Sequence, residues 1–434
     1  MEWAIARRSG PRFDFSARPG CLDEQPQTKL SKRGFQLMGF DFSFTDEQRM
    51  VQDAILSMLK RHESKHTAWR QQIYKHHQFP DELWQAFAET GIMGSFLPEA
   101  YGGSDMGLMP LVIGLETLSA HGFACVHAVV TAMDALCILA HGSEALKAEI
   151  LPQIATGQMR LSYAHTEPDA GSNVFNTATM AVREGDFYKV KGQKVFISGV
   201  DSTQKMLLVT RTATLEEAMK KGSKTYGLSL MLVDTDSPGL EKQFLPLQGL
   251  EGIKQWALFL EDVKVPVSNL VGEENQGARI IFDSLNSERI LAAAIATGMV
   301  DFLLERSTRY ARERKVFGGR AIGSYQSIAH PLAETKIEQE AARLLTYRAA
   351  WAFDQGQAPA EVGHYANLAK FKAADVGVKA ADHAIETHGG YGFSEEYEVI
   401  YYWNAARVLK TAPITREMIL NFVAEHSLKL PRSY

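Results

Sequence analysis

Two stretches of this chain combine residue types that can do chemistry with surroundings that would hold them in place. The first runs from Tyr163 to Asn173 and reads YAHTEPDAGSN. Pro168 and Gly171 forbid a regular element there, so Tyr163, His165, Thr166, Glu167, Asp169 and Ser172 fall on a loop. A polar loop between two rigid elements is a reasonable place for a site, although composition alone fits an ordinary surface turn as well. The second is SLNSERILAAA, Ser284 to Ala294, where Glu288 opens an almost wholly apolar run. A carboxylate on a helix that is buried on most sides is costly, and its pKa rises toward that of a working base. Ala292, one turn further along the same face, leaves room for a substrate. The plainer alternative is a half-exposed Glu paired with a neighbour, but the adjacent Arg289 points about 100° away around the helix.

These stretches need elements to position them, and the periodicity supplies three regions. Residues 1–37 carry Arg7, Arg8, Arg12 and Arg18 with several Gly and Pro and no sustained period. They read as a disordered extension, with Glu2, Asp14, Asp23 and Glu24 arguing against a transit peptide. Residues 38–161 show helical spacing. Thr45 and Gln48 form a capping box, Pro80 opens a helix that Gly91 closes, and Ser143 caps another ending at Pro152. Over residues 162–272 the period changes from 3.6 to 2, with strands expected at 178–182, 188–190, 195–197, 206–209, 228–233 and 259–265. This predicts a small, antiparallel, barrel-like β domain. Residues 273–434 are helical again, with runs at 280–312, 327–355 and 360–389 long enough for a four-helix bundle. The fold class is therefore mainly α with a central β domain.

Composition narrows the function. The 434 residues are 45% hydrophobic, enough for more than one core. The net charge of -5, from 46 basic and 51 acidic residues well mixed, argues against a nucleic-acid partner. No apolar run reaches the roughly 20 residues needed for a membrane span; the longest, Ile290–Val300, sits inside a helical pattern. Cys21, Cys125 and Cys137 have no metal-like spacing, and their sparseness suits a reducing, cytoplasmic setting. His62 and His66 could share a helix face, but no third ligand stands near them, so no metal is expected.

Further motifs bring a family into view. KGQKVFISG (Lys191–Gly199), RERKVFGGRAIGSYQ (Arg312–Gln326) and ETHGGYGF (Glu386–Phe393), taken with the central loop, resemble the acyl-CoA dehydrogenase family in register from about Met38 to near the C-terminus. The resemblance implies FAD as cofactor and an acyl-CoA thioester as substrate, oxidised between its α and β carbons. It implies electron-transfer flavoprotein as acceptor and a homotetramer or homodimer. It places Tyr163, His165 (through its backbone), Thr166, Gly171, Ser172, Phe196 and Ser198 around the flavin. Arg314, Phe317 and Gln326 would contact the FAD of a neighbouring subunit, with Glu386, Gly389 and Gly390 forming the companion loop. Ser172, Asn286 and Arg289 fall at substrate-contacting positions.

The family's base comes either from a C-terminal Glu-Gly-Thr loop or from a Glu on the first helix of the C-terminal bundle. Here Pro413-Ile414-Thr415 occupies the Glu-Gly-Thr position, leaving Thr415 as a cofactor contact and Glu288 at the other catalytic place. Glu386 in place of the usual Gln, and Asn404-Ala405 in place of an Arg-Asp pair, mark a divergent branch. Neighbouring chemistries on the scaffold are a carrier-protein-bound thioester, an enoyl-CoA reductase, an oxidase and a monooxygenase. A base at Glu288 speaks against the last, which needs no α-proton removal.

Overall fold

The computed structural model describes residues 43–432, so the extension expected over 1–37 lies outside the described residues. Six α-helices open the described residues: α1 (Asp46–Arg61), α2 (His66–His76), α3 (Asp81–Ala88), α4 (Met109–Ala120), α5 (Val126–His141) and α6 (Glu144–Ala155). Their ends follow local chemistry. The Thr45–Gln48 capping box closes on α1, and the Ser143 side chain accepts from Leu146 N at the start of α6. Gly91, at φ 79°, takes the left-handed turn after α3. α6 runs past Pro152, where the sequence suggested a stop, because Ile154 and Ala155 in its last turn are buried in the core. Burial outweighs the hydrogen bond that Pro152 cannot donate.

The sheet consists of β1 (Leu161–Ala164), β2 (Met180–Glu184), β3 (Phe187–Ser198), β4 (Lys205–Arg211), β5 (Leu228–Asp234), β6 (Leu240–Leu245), β7 (Gln255–Pro266) and β8 (Leu270–Val271), with a short helix α7 (Leu215–Lys220) between β4 and β5. The strand order is β6-β7-β3-β2-β4-β5-β8, with β1 also paired to β4. The sheet is mixed rather than antiparallel throughout. β1 lies parallel to β4 with Leu161 opposite Lys205, and β2 rejoins the same edge of β4 with Met180 opposite Arg211. β1 and β2 thus share one lane, and the segment between them, which holds the central loop, bulges out of it. Alternation along β4 and β5 serves two cores. Leu207, Val209, Leu230 and Leu232 face the helical core, while Met206, Leu208, Met231 and Val233 face the core inside the β domain.

The C-terminal region is built on α8 (Gly277–Glu313), 37 residues and about 55 Å long. It is followed by a hairpin of β9 (Lys315–Val316) and β10 (Arg320–Ala321), then α9 (Gln326–Asp354), α10 (Pro359–His388), α11 (Val399–Val408) and α12 (Arg416–Phe422). α9 and α10 pack along α8, and the shorter α11 joins them. α4 crosses α8 closely at Gly298, where a Cβ would lie 2.2 Å from the Glu116 carbonyl oxygen. Among the described residues no helix is long and apolar enough to cross a membrane.

Candidate active site

Glu288 lies near the first third of α8, half-buried, one turn before Ala292 in the run of Ile290 to Ile295 that faces the core. Burial pushes its carboxyl up to about 7, against the opposing pull of the Arg289 guanidinium and the Lys370 ammonium. Lys370, on α10, is 2% exposed. Its Nζ donates to the Ile414 carbonyl, tying the C-terminal loop to the neighbourhood of Glu288. Burial lowers the Lys370 ammonium to about 8, with Glu288 opposing the fall. Thr415 follows directly and caps α12 by accepting from Met418 N at 3.3 Å. Asn286 is spent inside the protein: Nδ2 donates to the Pro359 carbonyl at 3.1 Å, and Oδ1 accepts from Arg289 NH1 at 3.2 Å. Arg289 is itself half-buried.

The central loop is fixed from beneath by its own Glu167 together with Lys194 and Arg211, two charges that no sequence pattern marked. Glu167 accepts from Ala178 N at 2.7 Å, Thr179 N at 3.1 Å and Lys194 Nζ at 2.8 Å. Lys194 is fully buried and also donates to the His165 carbonyl at 2.9 Å. Burial pulls the Lys194 ammonium down to about 8. Burial works against the Glu167 carboxylate too, but Lys194 and the backbone donors outweigh it and hold its pKa below the usual value. Arg211, 1% exposed, donates to the carbonyls of Phe175 and Thr177 at 2.7 Å each and clamps the loop's return. Val195 N closes the frame on the Thr166 carbonyl at 2.9 Å.

On this frame Tyr163 and Thr166 are half-buried while Gly171 and Ser172 are exposed. His165 is buried and, desolvated, has its pKa depressed to about 3. It is a neutral ring whose Nδ1 meets the Tyr163 hydroxyl at 3.2 Å, so it supplies structure rather than a base. Beside the loop, β3 bulges between Lys194 and Ile197. Phe196 sits at the bulge with φ 58° and is 54% exposed. An aromatic held in the left-handed region costs of order 1–3 kcal/mol and persists only where its surroundings over-determine it. Ser198 exchanges hydrogen bonds with the Gln255 amide, accepting from Nε2 at 2.9 Å. Pre-fixed polar groups next to an open face with a projecting aromatic suit one side of a planar, hydride-accepting ring.

The remaining motif residues lie elsewhere. Arg314, Glu386, Gly389 and Gly390 line one cavity of about 520 Å³ with Tyr310 and Tyr391. Gly389 has φ 60° with nothing within 4 Å of a Cβ position, so a ligand can approach its backbone. An exposed guanidinium beside bare glycine backbone suits a pyrophosphate. Phe317, at φ 43° and 89% exposed, stands at the tip of the β9–β10 hairpin, and Gln326 is exposed at the start of α9. Arg314 follows Glu288 by 26 positions, about 39 Å along the helix axis. One chain therefore brings Glu288, Lys370 and the Ile414–Thr415 loop together, and separately Arg314 with the Glu386–Gly390 loop, but does not bring the two groups to one point. No group of three or more His, Cys, Asp and Glu among the described residues could hold a metal ion.

Comparison with known proteins agrees with this architecture. The chain matches the acyl-CoA dehydrogenase N-terminal domain over residues 45–158, the middle domain over 162–263 and the C-terminal domain over 275–428. It is 40% identical over 399 residues to an acyl-CoA dehydrogenase of Mycobacterium tuberculosis, covering 91% of this chain and 100% of that protein. The butyryl-CoA dehydrogenase structure from Megasphaera elsdenii superposes with a TM-score of 0.82 at 27% identity, covering 90% of this chain and 100% of the other. An FAD complex of PigA superposes with a TM-score of 0.80 at 25% identity, covering 90% and 99%. The chain belongs to the acyl-CoA dehydrogenase family and is an FAD-dependent oxidoreductase acting on acyl-CoA.

Proposed function

We propose that this protein oxidises the Cα–Cβ bond of an acyl-CoA thioester with Glu288 as the base that removes the α proton. The observation that carries the reading is a half-buried carboxyl whose pKa stands at about 7, matched to proton abstraction near neutrality. FAD, when bound, supplies the acceptor for the β hydride. Glu288 takes the α proton, and the positive charges of Arg289 and Lys370 keep its ionised form accessible. Arg289, held by Asn286, would meet the CoA portion. Tyr163, Thr166, Gly171, Ser172, Phe196 and Ser198 hold the ring, with His165 acting through its backbone and Ser172 also meeting substrate.

Arg314, Phe317, Gln326, Glu386, Gly389 and Gly390 would hold the FAD of another copy of the chain. The separation of about 39 Å along α8 between Glu288 and Arg314 supports this, since the two groups of one chain do not converge on one point. α9 leaves Ile337, Leu344 and Trp351 exposed at seven-residue spacing, an apolar stripe of the kind a second copy covers in a homodimer or homotetramer. Electrons pass to electron-transfer flavoprotein. Anaerobic titration with a panel of acyl-CoAs tests the whole reading: at least one bleaches the flavin stoichiometrically, and a flavin that stays oxidised with every thioester contradicts it.

A further inference from the structure

α5 is apolar over nearly all its length, and Asp134 is its one acidic residue. The side chain is fully buried, at 0% exposure, and neither carboxyl oxygen has a hydrogen-bond partner. An orphaned buried carboxyl costs stability, and a polar partner arriving from outside would offset that cost. Its neighbours locate it. α5 packs along α8, and Asp134 lies within electrostatic reach of Glu288, of the Tyr163 hydroxyl on the central loop, and of the Cys137 thiol one turn along α5. Burial, and after it the Glu288 charge, keeps Asp134 protonated well above the usual carboxylate range. The Arg289 and Lys370 charges that favour ionised Glu288 are not among the influences on Asp134.

We propose that Asp134 sets the substrate class: its buried, unpartnered carboxyl pairs with a hydroxyl or carbonyl oxygen carried on the acyl chain beyond the two carbons that react at Glu288. This deepens the dehydrogenase reading and rests on it. The reacting carbons would lie at Glu288, and Asp134 is an unpartnered polar group within electrostatic reach of it, on the helix packed against α8. A protonated carboxyl offers one donor and one acceptor, the complement of a neutral oxygen function. A terminal carboxylate on the substrate would face two carboxyl groups with no cation on Asp134 to offset it. An ammonium would have to give up its hydration and force Asp134 to ionise in an apolar setting. An apolar chain would leave both oxygens unpaired.

The test uses the purified holoenzyme and matched pairs of CoA thioesters, a plain acyl chain and the same chain hydroxylated at successive carbons from γ outward. The second-order rate of anaerobic flavin bleaching is read for each. Wild type should favour the hydroxylated partner at one position by roughly tenfold or more. Asp134→Leu should abolish that preference, and Asp134→Asn, whose amide still donates and accepts, should retain part of it. FAD occupancy and melting temperature report whether each variant folds, and the wild-type discrimination stands as a test without any variant. Equal rates for plain and hydroxylated chains in wild type, or a preference that survives Asp134→Leu, overturn the proposal. Absence of bleaching with every thioester contradicts the dehydrogenase reading instead, and this proposal falls with it.

Discussion

The first third and the C-terminal end of α8 set opposite conditions for the two roles proposed for them. Around Glu288 the helix is covered by α5 and α10, and water is scarce enough to push a carboxyl to about 7. At Arg314 the helix has run out into solvent, and the neighbouring Phe317 is 89% exposed. Burial suits the proton exchange proposed for Glu288, whereas the phosphate contact proposed for Arg314 needs a group that stays open until its ligand arrives. The same contrast separates two loops. The central loop hangs on the fully buried Lys194 and its partner Glu167, while the C-terminal loop is tied to the bundle at Ile414 by Lys370.

The largest effect expected from breaking this contrast is at Glu288. Glu288→Gln keeps the shape and removes the base, so substrate-driven flavin reduction should fall by at least the roughly 10²–10⁴-fold typical of a general base while FAD stays bound. Glu417→Gln, at an exposed carboxylate in the C-terminal loop region, should leave most of the rate intact. Stopped-flow reduction of the two variants compares them directly, and the opposite ranking would move the base to the C-terminal loop.

Next comes the frame of the central loop. Glu167→Ala strands the Lys194 ammonium at 0% side-chain exposure and should cost about 3–5 kcal/mol, read as a fall in denaturation midpoint. An unchanged midpoint would mean that the loop is held by other contacts. The smallest of the three effects belongs to the open end. Arg314→Ala should weaken FAD retention by about 1.5–3 kcal/mol, measured by fluorescence as flavin is released on dilution, with little change in melting temperature of the apoprotein. Unaltered retention would remove Arg314 from the cofactor site.

These regions also differ in how far the sequence exposed them. The burial of Glu288 was legible because a lone carboxylate, with Arg289 beside it, opens an apolar run that a helix buries whatever its partners. The three-part architecture was legible in the change of period near Ser162. The mixed sheet was not, because the sharing of β4's edge by β1 and β2 is a tertiary pairing that no local pattern encodes. β6 went unmarked because its residues alternate weakly and stay largely exposed. Lys194 was hidden by the bulge that reverses the alternation of β3, turning a lysine inward and Phe196 outward. Lys370 sits among other lysines on α10, and only the arrival of Ile414 distinguishes it. Asp134 did carry a signal of the same kind as Glu288, a lone carboxylate in the apolar run VHAVVTAMDALCILAH.

The pH dependence of flavin reduction tests the central claim most directly. Measured as a second-order rate constant, it reports the ionisation of the free enzyme. With Glu288 as base and its carboxyl at about 7, the wild-type rate should climb as pH rises through that value and level off above it, because only the ionised form accepts the α proton. Glu288→Gln should lose both the rate and the step. A profile with no step near 7, or one that persists unchanged in Glu288→Gln, would show that the proton goes to another group.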